Sequence, residues 1–160
     1  MTEDVAIRPA SLLDAERLAA LHLQVWREAY AGLMPDEVLA HREAEPELAR
    51  VTRWVGRVRS NQILVADDGG LVVGWAEVGP SRDADLAGEE LYSIYLAASH
   101  YSTGLGHRLL DAVLGERPAH VWVLRGNERA ERFYQRHGFA YDGSEVVDEL
   151  GLSDLRMRRG

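Results

Sequence analysis

Two stretches of the chain carry residue types and spacings that could do chemistry. The first is Ser102-Thr103-Gly104-Leu105-Gly106-His107, which follows the β-forming run Leu91-Tyr92-Ser93-Ile94-Tyr95-Leu96 and leads into Arg108-Leu109-Leu110. A strand, a short loop with two glycines and a helix N-terminus make an anion site. The glycines let backbone N–H groups approach a ligand, and the helix dipole favours negative charge there. The natural guest is a phosphate or pyrophosphate, although short Gly-x-Gly loops also serve as plain tight turns. The second stretch runs from Asn127 to Tyr134, seven residues and two helical turns, so both side chains share one helix face. Their structural alternatives are a simple helix cap for Asn127 and a core tyrosine for Tyr134. Three carboxylates at or near strands, Glu77, Glu89 and Glu90, are candidates to accept a proton, and otherwise are solvated edge charges. Strand alternation puts Glu90 on the face of Tyr92 and Ile94.

Composition removes several chemistries. All 18 basic residues are arginine, so there is no Schiff-base lysine and no Walker A phosphate loop. There is no cysteine, hence no disulfide, thiolate metal site or cysteine nucleophile. The six histidines, His22, His41, His100, His107, His120 and His137, show no metal-ligand spacing, and no metal is expected. A net charge of −8 argues against nucleic-acid binding and suits a cationic substrate, or serves solubility alone. Met1-Thr2-Glu3-Asp4 lacks a leader's apolar core, and no run approaches the roughly 18 apolar residues of a membrane span. A cytoplasmic protein without a membrane partner is therefore expected.

The elements that must position these residues read as one domain over residues 1–160. Val5–Arg8 predicts a strand closed by Pro9. Ser11 and Asp14 have capping-box spacing, which predicts a helix start ahead of the apolar stripe Leu18, Leu21, Val25, Trp26, Tyr30. Asp36 reads as the cap of a second helical region through Leu39. A third helix from about Glu47 to Val58 carries Leu48, Val51, Val55 and Val58 on one face. Runs at 63–66 and 71–78 flank Asp67-Asp68-Gly69-Gly70 and predict a hairpin, followed by a polar loop from Pro80 to Gly88. The strand 91–96, the glycine-opened helix through about Leu114 and the strand 119–124 form a right-handed parallel crossover, with both strands covered at the sheet's centre. Asn127 caps a short helix ended by Gly138, and strands at 139–141 and 155–158 close the chain as an antiparallel pair.

These residues carry a family resemblance. The loop from Tyr101 to Gly106 resembles the acyl-CoA pyrophosphate loop of the GNAT superfamily of N-acetyltransferases, whose pattern is Gln or Arg, two residues, Gly, any residue, then Gly or Ala. The segment from Asn127 to Phe139 is similar to its other cofactor motif, N-x-x-A-x-x-F-Y-x-x-x-G-F. The resemblance implies a mixed α/β fold: a mostly antiparallel sheet of six or seven strands, splayed between two parallel central strands and flanked by about four helices. It implies acetyl-CoA as co-substrate, with the pantetheine arm along the backbone of Ile94, Tyr95 and Leu96. The pyrophosphate falls on Ser102, Thr103, Gly104, Leu105, Gly106 and His107, with Asn127 reaching the arm from the other side. Tyr101 departs from the usual Gln or Arg, so His107, Arg108 or Arg129 are candidate stand-ins for that contact. Tyr134 is implied as the acid that protonates the leaving thiolate, and Glu90 ranks first as base. Trp26, Tyr30, Met34, Trp75 and Glu77 are candidates to line the pocket of a small-molecule or peptide amine, and a homodimer is left open. The alternative from another class is a non-catalytic acyl-CoA-binding module. A pyrophosphate-cofactor oxidoreductase lacks its three-glycine fingerprint after the first strand.

Overall fold

The computed structural model describes residues 4–160; of the four residues on which the expectation about a leader rests, Met1–Glu3 lie outside them. In chain order the elements are β1 (Ala6–Pro9), α1 (Ala15–Tyr30), α2 (Asp36–Glu43), α3 (Glu47–Ser60), β2 (Gln62–Asp68), β3 (Leu71–Pro80), β4 (Glu89–Leu96), α4 (Leu105–Leu114), β5 (Ala119–Leu124), α5 (Glu128–Arg136), β6 (Ala140–Val147) and β7 (Ser153–Arg159). The strands form one seven-stranded sheet in the order β1-β2-β3-β4-β5-β7-β6. It is mostly antiparallel, and β4 and β5 pair in parallel with Glu90 opposite His120. Five α-helices accompany it, and Pro46 separates α2 from α3 as the sequence predicts. Among the described residues no helix is long and apolar enough to cross a membrane.

The chain divides into two compact units, residues 4–78 with 93–115 and residues 79–92 with 116–160. In the first unit β1, β2 and β3 pair in antiparallel order, and the 67–70 turn is the predicted hairpin, with Asp67 Oδ1 accepting from Gly70 N–H at 2.7 Å. Helices α1 and α3 pack on each other, and α4 packs on β2. The Ser11–Asp14 box is present, with Ser11 N–H donating to Asp14 at 2.8 Å. It closes a 3-10 turn that runs directly into α1 at Ala15, and the Asp14 carboxylate also accepts from Arg8 at 2.9 Å. Pro35, not Asp36, caps α2, and Pro46 caps α3: both rings fix φ near the cap geometry and leave the carbonyl to accept from the helix. Asp36 becomes the first helical residue, where its charge complements the dipole. The buried side chain of α3 is Trp54 at 1%, while Leu48 is 78% exposed. Trp54 lies on the stripe of Val51 and Val58, and its area outweighs the leucine's.

In the second unit β5, β7 and β6 form an antiparallel set whose strands run well past the short segments expected, with a register shift between Tyr141 and Glu145. Asn127 caps α5 as expected, its side chain accepting from Ala130 N–H at 3.3 Å, and Gly138 sits at φ +86°. One strand departs from expectation. β5 is largely buried, but β4 is only half-buried from Tyr92 to Leu96, although that stretch is nearly all apolar or aromatic.

Candidate functional site

In the first unit Gly104 caps α4 at φ +84°, and Ser102 holds φ +59°, a left-handed conformation unusual outside glycine. The ladder of α4 starts with Arg108 N–H donating to Gly104 O at 3.1 Å, which leaves the preceding turn outside it. Leu105 N–H reaches Thr103 Oγ1 only at 3.4 Å. A Cβ at Gly104 meets nothing within 4 Å, so the loop's outer face is open to a ligand. Arg108, one of the stand-ins suggested for the Tyr101 departure, donates from Nη2 to Val5 O at 2.8 Å.

β4 delivers Tyr95 and Leu96 beside β3. A Cβ at Gly74 would stand 2.4 Å from Leu96 Cδ2 and 2.7 Å from Tyr95 O, so only glycine lets the two strands approach this closely. Tyr95 belongs to a closed ring of aromatic groups. His22 meets Trp26 at 5.9 Å between centroids, Trp26 meets Tyr30 at 4.7 Å, and Tyr30 meets Tyr95 at 6.3 Å. Tyr95 meets Trp75 at 5.2 Å, Trp75 meets Trp54 at 5.1 Å, and Trp54 returns to His22 at 5.5 Å. The Tyr30 and Tyr95 hydroxyls are 2.5 Å apart. Trp75 is a core residue at 0% exposure whose Nε1–H donates to Ser93 Oγ at 2.8 Å. Burial pushes His22 down to about 3, helped by the positive charges of Arg57, Arg42 and Arg53.

Glu77, a candidate for the acceptor pocket, is buried in an ion-pair network. At 1% exposure it is locked by Arg57, by Asn61 Nδ2–H at 2.8 Å and by Ser93 Oγ–H at 3.3 Å. A small cavity of about 20 Å³ lies among Ala19, His22, Trp26, Arg42, Arg50 and Trp54. Its lining includes Trp26, one of the residues expected at an acceptor pocket, together with His22 and arginines that carried no signal in the sequence. The spacing of eight between Arg42 and Arg50, across the α2–α3 junction, carries no periodic signal.

In the second unit Tyr134 is buried at 7%, edge-on to Phe133 at 5.5 Å and Phe139 at 5.8 Å. Its backbone carbonyl accepts from His137 and Phe139 N–H, both at 3.0 Å, which closes the end of α5 at this residue. Asn127 uses its carboxamide oxygen as the cap, which leaves the amide N–H2 to donate elsewhere. Glu90 is 1% exposed, pairs with Arg82 and accepts from Arg82 N–H at 3.0 Å. Buried His120 brings Nε2 within 3.0 Å of Asp83 and 3.4 Å of Glu90. Asp83, Glu90 and His120 thus place three potential metal ligands within 4.8 Å of one another, a cluster that sequence spacing hid because a loop and two strands supply one residue each. Arg82 and Arg156 already neutralise the two carboxylates, so the set is a satisfied ionic network. Arg156, 5% exposed, also binds Asp85 at 2.8 Å and Asp142 at 2.6 Å, and so pins the 80–88 loop onto β7 and β6.

Comparison with known proteins agrees with the two motifs. The family model described as Acetyltransferase (GNAT) domain matches residues 59–141, just over half of the chain. A probable N-acetyltransferase of Mycobacterium tuberculosis is 27% identical over 148 residues, 88% of this chain and 82% of that one. The uncharacterized N-acetyltransferase YuaI of Bacillus subtilis is 30% identical over 165 residues, covering 96% and 89%. Among solved structures, the PaiA N-acetyltransferase from Thermoplasma acidophilum in complex with coenzyme A matches with a TM-score of 0.72 at 23% identity, over 97% of this chain and 98% of that one. A GCN5-related N-acetyltransferase from Rhodopseudomonas palustris matches with a TM-score of 0.73 at 19% identity, over 100% and 98%. The structural likenesses speak for the fold, and the family match together with the B. subtilis relative speaks for descent: the chain belongs to the GNAT family of acyl-CoA-dependent acetyltransferases.

Proposed function

We propose that the protein transfers an acetyl group from acetyl-CoA to a primary amine by direct attack, with Tyr134 as the general acid. The observation that carries this reading is α5 itself: an Asn127 cap with a free amide end, followed two turns later by a buried tyrosine held by its own helix terminus. The α4 turn at Gly104 supplies the backbone donors for the cofactor's pyrophosphate, and the half-buried apolar edge of β4 at Ile94–Leu96 supplies the rail for the pantetheine arm.

In this reading the amine lone pair adds to the thioester carbonyl carbon, and a backbone N–H near Leu96 steadies the developing oxyanion. The C–S bond then breaks. The thiolate, of pKa about 8.5, takes the phenolic proton of Tyr134, whose ordinary pKa is about 10. The attacking nitrogen gives up its proton to Glu90 through water, since that carboxylate is too buried for direct contact, and the phenol is reprotonated in turn. No covalent enzyme intermediate is required, consistent with the absence of cysteine.

The test is thiol release from acetyl-CoA with and without a panel of amines. Tyr134→Phe should lower kcat by about 10²-fold or more, the usual scale of one proton-transfer group, with little change in acetyl-CoA affinity. Equal turnover in the variant rules the role out, and cofactor binding without release for any amine returns the chain to a binding module.

A further inference from the structure

The cavity of the first unit is lined by an excess of positive side chains, in a protein whose net charge is −8. Three arginines stand around it, Arg42, Arg50 and Arg53, against the single carboxylate of Glu45, which Arg53 already engages. Two buried N–H groups of its lining residues, Trp26 Nε1–H and Arg50 Nε–H, have no acceptor among the described residues. An orphaned buried donor costs roughly 1–3 kcal/mol, so two beside one cavity call for an acceptor that the described residues do not supply. Arg42 adds a third unused donor. Its guanidinium carbon lies 3.4 Å above the Trp26 ring centroid and makes no hydrogen bond within the described chain. Loss of hydration pushes the Arg42 guanidinium below its ordinary range, more than the nearby Glu45 carboxylate offsets.

Size and place narrow the guest. A cavity of about 20 Å³ takes one or two water-sized groups, which suits a carboxylate head and excludes an entire substrate. It sits next to the reacting end of β4: Trp26 leads by ring contact to Tyr30, and Tyr30 by its hydroxyl to Tyr95. We propose that the acceptor is an amine that also carries a carboxylate, of amino-acid type, and that Arg42, Arg50 and Trp26 hold the carboxylate while the amino group faces the thioester. This rests on the acetyl-transfer reading above and adds the class of acceptor. It also reverses the expectation of a cationic substrate drawn from net charge, because three arginines at short range outweigh a distributed surface charge screened over about 10 Å. A planar guanidinium and an indole N–H are the donors that recognise a carboxylate's two oxygens.

The experiment compares matched pairs in the thiol-release assay: free α-amino acids, and the amines that lack only the carboxylate. The expected result is a kcat/KM at least tenfold higher for the acid of the preferred pair, falling to within about twofold of its partner in Arg42→Gln and rising again in Arg42→Lys. Trp26→Phe, which keeps the ring and removes the N–H, should raise the acid's KM several-fold. A second arm uses the N-acetylated product as probe, titrated calorimetrically without acetyl-CoA, where Arg42→Gln should abolish binding. Inhibition by the same product should be competitive with the acceptor; competition with acetyl-CoA instead assigns the arginines to a cofactor phosphate and overturns the proposal. Decarboxylated amines that react as well as the acids also overturn it, while leaving the transferase reading intact. Product binding with no thiol release for any amine has the opposite meaning: the anion site stands and the transferase reading falls.

Discussion

At the scale of single residues, the same side chain often has a structural and a chemical claim on it. Asn127 shows how both can hold, with an oxygen spent on the cap and a nitrogen left over. Glu90 is the harder case. Its carboxylate is buried against Arg82 and His120, so protein groups rather than water solvate it. As base, it must work through an ordered water. Glu90→Gln keeps the volume and one acceptor oxygen, and should remove the acid limb of the kcat/KM–pH profile while lowering the plateau by about 10²-fold. An unmoved acid limb assigns the proton to another group. Protein stability, measured beside it, separates a lost base from a lost ion pair, because truncating one partner of a buried pair costs about 3–5 kcal/mol.

Among the elements, β4 carries most of the functional meaning. Its apolar sequence reads as a strand covered on both faces, yet from Tyr92 to Leu96 it keeps half-exposed surface. That is the surface a cofactor arm would pair with. Its position is set from the β3 side by Gly74, where a methyl group would run into the backbone oxygen of Tyr95 as well as the Leu96 side chain. Backbone cannot rotate away as a flexible side chain can. Gly74→Ala should therefore displace Tyr95 and Leu96, raise KM for acetyl-CoA about tenfold and lower stability by about 1–3 kcal/mol, the range for overpacked sites. A variant with wild-type KM separates β4's exact position from cofactor binding. The α2–α3 segment is the other informative element. Its arginines and Trp54, rather than the leucine that the helical period picked out, build the cavity wall.

For the whole molecule, the depressed groups share one direction with pH. His22 is held down to about 3, so between pH about 6.5 and 3 the unfolded chain binds a proton that the folded chain refuses, and stability falls as pH falls through that window. The Arg8 guanidinium holds Asp14 below the usual carboxylate range. Burial pushes Asp142 up, but Ser144 N–H and Arg156 outweigh it and leave it below that range. Both carboxylates therefore contribute stability that is present above about pH 4 and lost below it. Denaturant unfolding should show a first decline from pH 6.5 that is flattened in His22→Gln, and a second below pH 4 that is not. The imidazole of His22 should show no NMR titration between pH 8 and 4; a midpoint near 6.5 would contradict its burial among the tryptophans.

The sequence by itself determined the element order, the glycine turn, the Asn127 cap and the family, because each rests on residues within one or two turns of one another. Local backbone demands and short motifs survive in a linear text. Only the tertiary structure decided which carboxylates are buried, that His120 meets Asp83 and Glu90, and that arginines from two helices leave donors unspent beside a tryptophan of a third. Those facts depend on residues far apart in the chain, where charge is balanced by whichever partner the fold delivers. Composition could report a net charge of −8, but not that the small cavity within it is positive.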